Sequence, residues 1–76
     1  MNKAEFIKGL EEELELEITL TAETDLKGLD EWDSMAAMLL IGYVSNEFGL
    51  TLTADDIKNI STVQSLIERI GVEKFN

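Results

Sequence analysis

With 76 residues and 45% hydrophobic content the chain can build one domain around one core, and a domain of this size buries only roughly 60% of its unfolded surface, which leaves no material for a second. Sixteen acidic residues against 6 basic ones give a formal charge of -10, so phosphate backbones and anionic headgroups are repelled and basic protein partners are favoured. Cys and His are both absent, which excludes disulfides, thiolate metal sites, a cysteine nucleophile and the side chain that most often moves protons near neutral pH.

The first residues, Met1-Asn2-Lys3-Ala4-Glu5, show no apolar stretch behind a basic start and predict no secretory signal. From Ser34 to Asn46 the chain is uncharged, yet this run falls short of the roughly 20 apolar residues that span a bilayer. The expectation is a cytoplasmic, monomeric protein that neither inserts into membranes nor binds nucleic acid.

Phe6, Ile7, Leu10 and Leu14 recur at helical spacing and predict a first helix from about Asn2 to Glu15. Glu11, Glu12, Glu13, Glu15 and Glu17 crowd its C-terminal part, where the helix dipole disfavours negative charge, so this end should stop early. The acidic run itself reads as a solvated face. Leu16, Ile18 and Leu20 alternate with polar residues, but a lone strand cannot satisfy its backbone groups, so an extended loop with these three side chains inward is expected. That loop runs from about Glu17 to Trp32, anchored by Leu26 and Leu29, with Asp25, Lys27, Gly28 and Asp30 supplying turn chemistry.

Asp33 or Ser34 caps a second, central helix that stops at Gly49. Its apolar residues cover more of the circumference than a core face needs: Ala36, Leu39 and Tyr43 fall on a different side from Leu40, Val44 and Phe48. Met38, Leu40, Ile41, Val44 and Ile60 form either a closed core or the lining of an apolar pocket. Thr53 with Asp55 and Asp56 opens a short third helix that points Ile57 and Ile60 inward. Ser61 with Gln64 gives a capping-box pattern for a fourth helix through Val63, Leu66, Ile67 and Ile70, stopped by Gly71 and followed by a tail. The predicted fold is an all-α bundle of three longer helices and one short one with a long first loop, a single domain over residues 1–76.

At Asp33-Ser34-Met35 loop gives way to helix, which puts the Ser34 hydroxyl at an N-terminus where unpaired N–H groups and the dipole stabilise an anion. The same position suits an ordinary cap. The segment resembles the Asp-Ser-Leu attachment motif of the acyl carrier and peptidyl carrier protein family. The likeness extends from Phe6 to Ile70 and includes Glu47-Phe48-Gly49-Leu50 and Ile60-Ser61-Thr62-Val63.

The resemblance implies that Ser34 receives 4'-phosphopantetheine from coenzyme A through a phosphopantetheinyl transferase, with Asp33 beside it and Met35 in the family's leucine position. It implies no catalysis by the chain itself, no metal of its own, and ligases, acyltransferases and synthases as partners. Trp32 either staples the first turn of the second helix or meets a partner. Carriers of general fatty-acid synthesis bear acidic residues along the exposed side of this helix, where Ala36, Leu39 and Tyr43 are expected here. That departure points either to apolar docking by dedicated enzymes of a specialised pathway or to simple packing of these residues under the long loop. Asp55 and Asp56, with Asp25, Asp30 and Glu31, are the candidates for steering basic partners. Acyl cargo is the first reading and aminoacyl or peptidyl cargo the alternative. An acidic interaction module without cofactor ranks behind both, because no calcium-hand loop can be laid on the aspartates.

Overall fold

The computed structural model describes residues 1–75. Helix α1 spans Lys3–Glu13 and opens with a capping box, in which the Asn2 side chain accepts from the Glu5 N–H at 2.8 Å and Glu5 Oε1 accepts from the Asn2 N–H at 3.1 Å. It ends before the apolar periodicity does. The N–H groups of Glu15 and Leu16 turn back to the carbonyls of Glu12 and Glu11 at 3.1 and 2.9 Å, the paired bonds that close a helix on a left-handed residue. That residue is Glu15, at φ 54, where glycine is the usual occupant. Glu15→Gly should therefore stabilise the domain by about 0.5–1 kcal/mol, measured by urea unfolding, because it relieves the φ penalty and removes a carboxylate from the negative end of the dipole.

Not all of the acidic face of α1 is merely solvated. Glu11 is half-buried and its Oε2 accepts the Leu20 N–H at 2.6 Å, which ties the start of the long loop back to the helix. Leu20 is buried and Leu16 packs partly against the core, but Ile18 faces solvent, so only two of the three expected side chains turn inward. No strand forms among the described residues, in agreement with the rejected strand reading. A short pairing does appear further on, where the Leu26 N–H donates to the Ser61 carbonyl at 2.7 Å and the Val63 and Gln64 N–H groups donate to Thr24 and Ala22 at 3.0 and 2.8 Å. A 3-10 turn at Leu26–Gly28, capped by Asp25, then seats Leu26 in the core with Leu29 partly buried against it.

Helix α2 spans Ser34–Phe48 and stops at Gly49, φ 67, whose N–H donates to Ser45 at 2.9 Å. Helix α3, Ala54–Asn59, starts in a reciprocal Thr53–Asp56 capping box, and α4 spans Val63–Ile70. The cap of α4 is Thr62 with Ser65, one residue later than the Ser61–Gln64 pattern predicts. The cause is long-range: Ser61 accepts from Leu26 in the loop pairing, which keeps the chain extended until Thr62. Past Gly71 the chain does not trail away as a tail. A 3-10 turn at Val72–Lys74 brings Phe75 onto Phe6 and Phe48, with ring centroids 5.3 and 5.1 Å apart.

The core gathers Phe6 and Leu10 of α1, Leu26 of the loop, Leu40 and Val44 of α2 and Val63, Leu66 and Ile67 of α4, all at 0% exposure. Tyr43 joins it. Its ring stacks on Phe6 at 5.5 Å between centroids, and its hydroxyl donates to the Phe6 carbonyl at 3.1 Å. Burial and the nearby Glu47, Glu13 and Glu12 carboxylates push this phenol up to about 12. Ala36 is buried as well. The four helices and their order match the all-α carrier-like bundle expected from the sequence.

Candidate functional site

Asp33 lies in extended backbone at φ -153 and ψ -172, and its Oδ1 accepts the Ala36 N–H at 2.9 Å while its carbonyl accepts the Ala37 N–H at 3.0 Å. Asp33 is thus the cap, and Ser34 is the first residue of α2, exposed to solvent. Among the described residues the Ser34 hydroxyl takes part in no hydrogen bond. The N–H groups of Ser34 and Met35 precede the first intrahelical bond, so they and the positive end of the α2 dipole stand beside that hydroxyl. A phosphodiester on this oxygen would gain two amide donors and would displace no existing contact.

The outward side of α2 differs from the one inferred from sequence. Ala36 and Tyr43 belong to the core, which removes them from any exposed docking face. Solvent instead meets Met35 and Met38, 69% and 71% exposed, together with Leu39 at 37%. Met38 lies one turn beyond Ser34 and shares its face; the i, i+3 spacing of the two methionines was the signal available in the sequence. Exposure also removes Met38 from the suggested pocket lining, and Leu40, Val44 and Ile60 sit in the packed core with Ile41 at its margin. Beside the site a groove of about 210 Å³ is lined by Leu14, Met35, Ala36 and Leu39 together with Glu15, Glu31 and Asp33. Trp32 is half-buried and packs against the core.

Of the two α3 aspartates, Asp55 is exposed in the first turn, whereas Asp56 is engaged. Arg69 Nε and Nη2 donate to Asp56 Oδ1 and Oδ2 at 2.7 and 3.1 Å, and the Thr53 N–H donates to Oδ2 at 2.9 Å. These bonds, that from Arg69 first, hold the Asp56 carboxyl at about 2, below its ordinary 3.8. A carboxyl depressed in the folded state binds fewer protons there than in the unfolded chain, so its stabilisation is full above about pH 4 and fades as pH falls toward 2. Acid titration followed by circular dichroism should accordingly give a shallower loss of stability between about pH 4 and 2 for Asp56→Asn than for the parent. The Asp56 charge is thus paired with Arg69, while Asp55 stands exposed.

No helix among the described residues is long and apolar enough to cross a membrane. The family model described as phosphopantetheine attachment site matches residues 4–70. No curated protein and no solved structure matches the chain. The matched span runs from the first turn of α1 to the last residue of α4, taking in both the core and the α2 junction. Domains of this family bear a 4'-phosphopantetheine group, are generally non-catalytic, and work with synthases, ligases and transferases. The chain belongs to the phosphopantetheine-attachment family, and the carrier it forms uses 4'-phosphopantetheine as its prosthetic group.

Proposed function

We propose that this is an acyl carrier protein in which Ser34 bears the phosphopantetheine arm, the whole chain acting as one carrier domain in a specialised cytoplasmic pathway. The observation that carries this reading is the exposed, unengaged hydroxyl of Ser34 at the first position of α2, inside the matched span. In the transfer step the Ser34 Oγ attacks the pyrophosphate phosphorus next to the pantetheine of coenzyme A. The new P–O bond replaces the one to the nucleotide, which leaves as adenosine 3',5'-bisphosphate, and the serine proton passes to the transferase. The bound arm supplies a thiol for thioester formation, and tethering raises the effective concentration of its cargo at each partner.

This chain's own residues position and present. Asp33 fixes the start of α2 and so the direction in which Ser34 faces. Met35, Met38 and Leu39 form an apolar docking ridge, which supports dedicated partners with apolar contacts over enzymes that read an acidic helix. Glu31, Asp33 and Asp55 lend negative charge for steering. Incubation with coenzyme A and a broad-specificity phosphopantetheinyl transferase should add one arm by intact mass, and peptide mapping should place it on Ser34. An unchanged mass, or an arm on another residue, would refute the proposal.

A second reading, aminoacyl cargo, draws support from the full burial of Leu40 and Val44 behind α2, since a short cargo needs no opening of the core. Methyl chemical shifts separate the two. Shifts at Leu40 and Val44 on loading a medium-chain acyl group favour acyl sequestration, and their absence favours the short cargo.

A further inference from the structure

Thioethers of methionine are oxidised in proportion to their exposure, and the product is a polar sulfoxide on a formerly apolar surface. Here the methionines are distributed unevenly. None lies in the core, which is built of Phe, Leu, Ile, Val, Ala and Tyr, and until an arm brings its thiol the chain has no sulfhydryl to compete for oxidant. Met1 lies ahead of α1 and is 37% exposed. The other two are the most exposed large apolar residues of the molecule, and both stand within the first turns of α2, one and four residues after Ser34.

We propose that Met35 and Met38 are an oxidation site for hydroperoxides, at which two-electron oxidation lowers the carrier's engagement with its partners while leaving the fold intact. This rests on the reading that Ser34 accepts the arm and that the ridge beside it docks. In the step, a sulfur lone pair attacks the terminal peroxide oxygen. The O–O bond breaks as the S–O bond forms, the sulfur is oxidised by two electrons, and the peroxide, reduced by two, leaves as water or an alcohol after proton transfer. A dithiol-dependent methionine sulfoxide reductase reverses the change, with the dithiol oxidised to a disulfide and water released. Because both thioethers are outside the core, each sulfoxide is solvated in the free carrier. Docking then requires its desolvation against an apolar partner surface, where it lacks a hydrogen-bond donor.

The test treats the protein with hydrogen peroxide, removes the oxidant, and locates the added oxygens by peptide mapping. The rate of arm transfer from coenzyme A by the transferase is then compared with that of untreated protein. Oxygens at Met35 and Met38 are expected, with an unchanged thermal midpoint, a transfer rate about tenfold lower, equivalent to about 1.4 kcal/mol, and recovery after reductase treatment. In the M35L/M38L double variant the transfer rate, whatever its level, should not respond to peroxide. An undiminished rate after both methionines are oxidised would overturn the inference, as would equal peroxide sensitivity in the double variant. Failure of the untreated parent to accept an arm would instead refute the attachment reading, so the two failures are distinguishable.

Discussion

Ser34→Ala should abolish the mass gain from coenzyme A and transferase completely while shifting the thermal midpoint by no more than about 2 °C, an effect within the ±0.5 kcal/mol usual for exposed positions. The fold should tolerate the change because the cap of α2 is Asp33 and not Ser34, and alanine suits the first helical position. Loss of modification would then report the missing oxygen and not a damaged helix. Asp33 supplies the contrast. Asp33→Ala removes the acceptor for the Ala36 N–H, an interaction worth about 1 kcal/mol, and should lower the midpoint by roughly 4–8 °C. Asp33→Asn keeps a capping oxygen and should keep the midpoint, yet it deletes a carboxylate one residue from the reacting hydroxyl and should slow transfer several-fold. Intact mass over time, with calorimetry on the same samples, reads both quantities. Equal transfer rates for Asp33→Asn and the parent would confine Asp33 to capping, and an arm on the Ser34→Ala variant would end the attachment proposal.

Much of this site can be read in the sequence because the signals are local. An acidic residue and a serine at a loop-to-helix junction, a glycine at each of two helix ends and a threonine followed by two aspartates at a helix start depend on neighbours within one turn, and each of these features appears where the pattern places it. The errors share a different cause. Ala36, Leu40, Tyr43 and Val44 follow the i, i+4, i+7, i+8 stripe of one helix face, so setting Ala36 and Tyr43 apart as an outward face misreads the period, while apolar residues nearly all round still leave open which stripe turns inward. The choice was made by α1, where Gly9 leaves room for the Tyr43 phenol and Phe6 offers both a ring and a carbonyl. The cap of α4 lies one residue later because of hydrogen bonds with a loop far earlier in the chain, and the segment past Gly71 finds a place because Phe6 and Phe48 present rings to Phe75. Contacts between distant segments are invisible to periodicity, and at this site they decide which side of α2 is left exposed.

The same contact predicts the largest loss of stability. Gly9 is in the middle of α1, where alanine would ordinarily favour the helix by about 1 kcal/mol. Here a Cβ would overlap the Tyr43 hydroxyl and come within 3.0 Å of the ring carbon that bears it. The ring cannot withdraw freely, because it is stacked on Phe6 and its hydroxyl is held by the Phe6 carbonyl. Gly9→Ala should therefore destabilise by about 2–3 kcal/mol despite the helix propensity, a large share of the roughly 4–11 kcal/mol expected for a domain of this length. Tyr43→Phe alone should cost about 1 kcal/mol for the lost hydrogen bond. In the double variant the overlapping oxygen is gone and only the tight ring contact remains, so adding Gly9→Ala to Tyr43→Phe should cost less than about 1 kcal/mol. Urea unfolding of all four proteins then gives a coupling of about 2 kcal/mol between positions 9 and 43. If Gly9→Ala instead proves neutral or stabilising, α1 and α2 are not packed as closely as described. The outward placement of Met35 and Met38 beside Ser34 would then lose its support, since the rotation of α2 about its own axis is set by the burial of Tyr43 against α1.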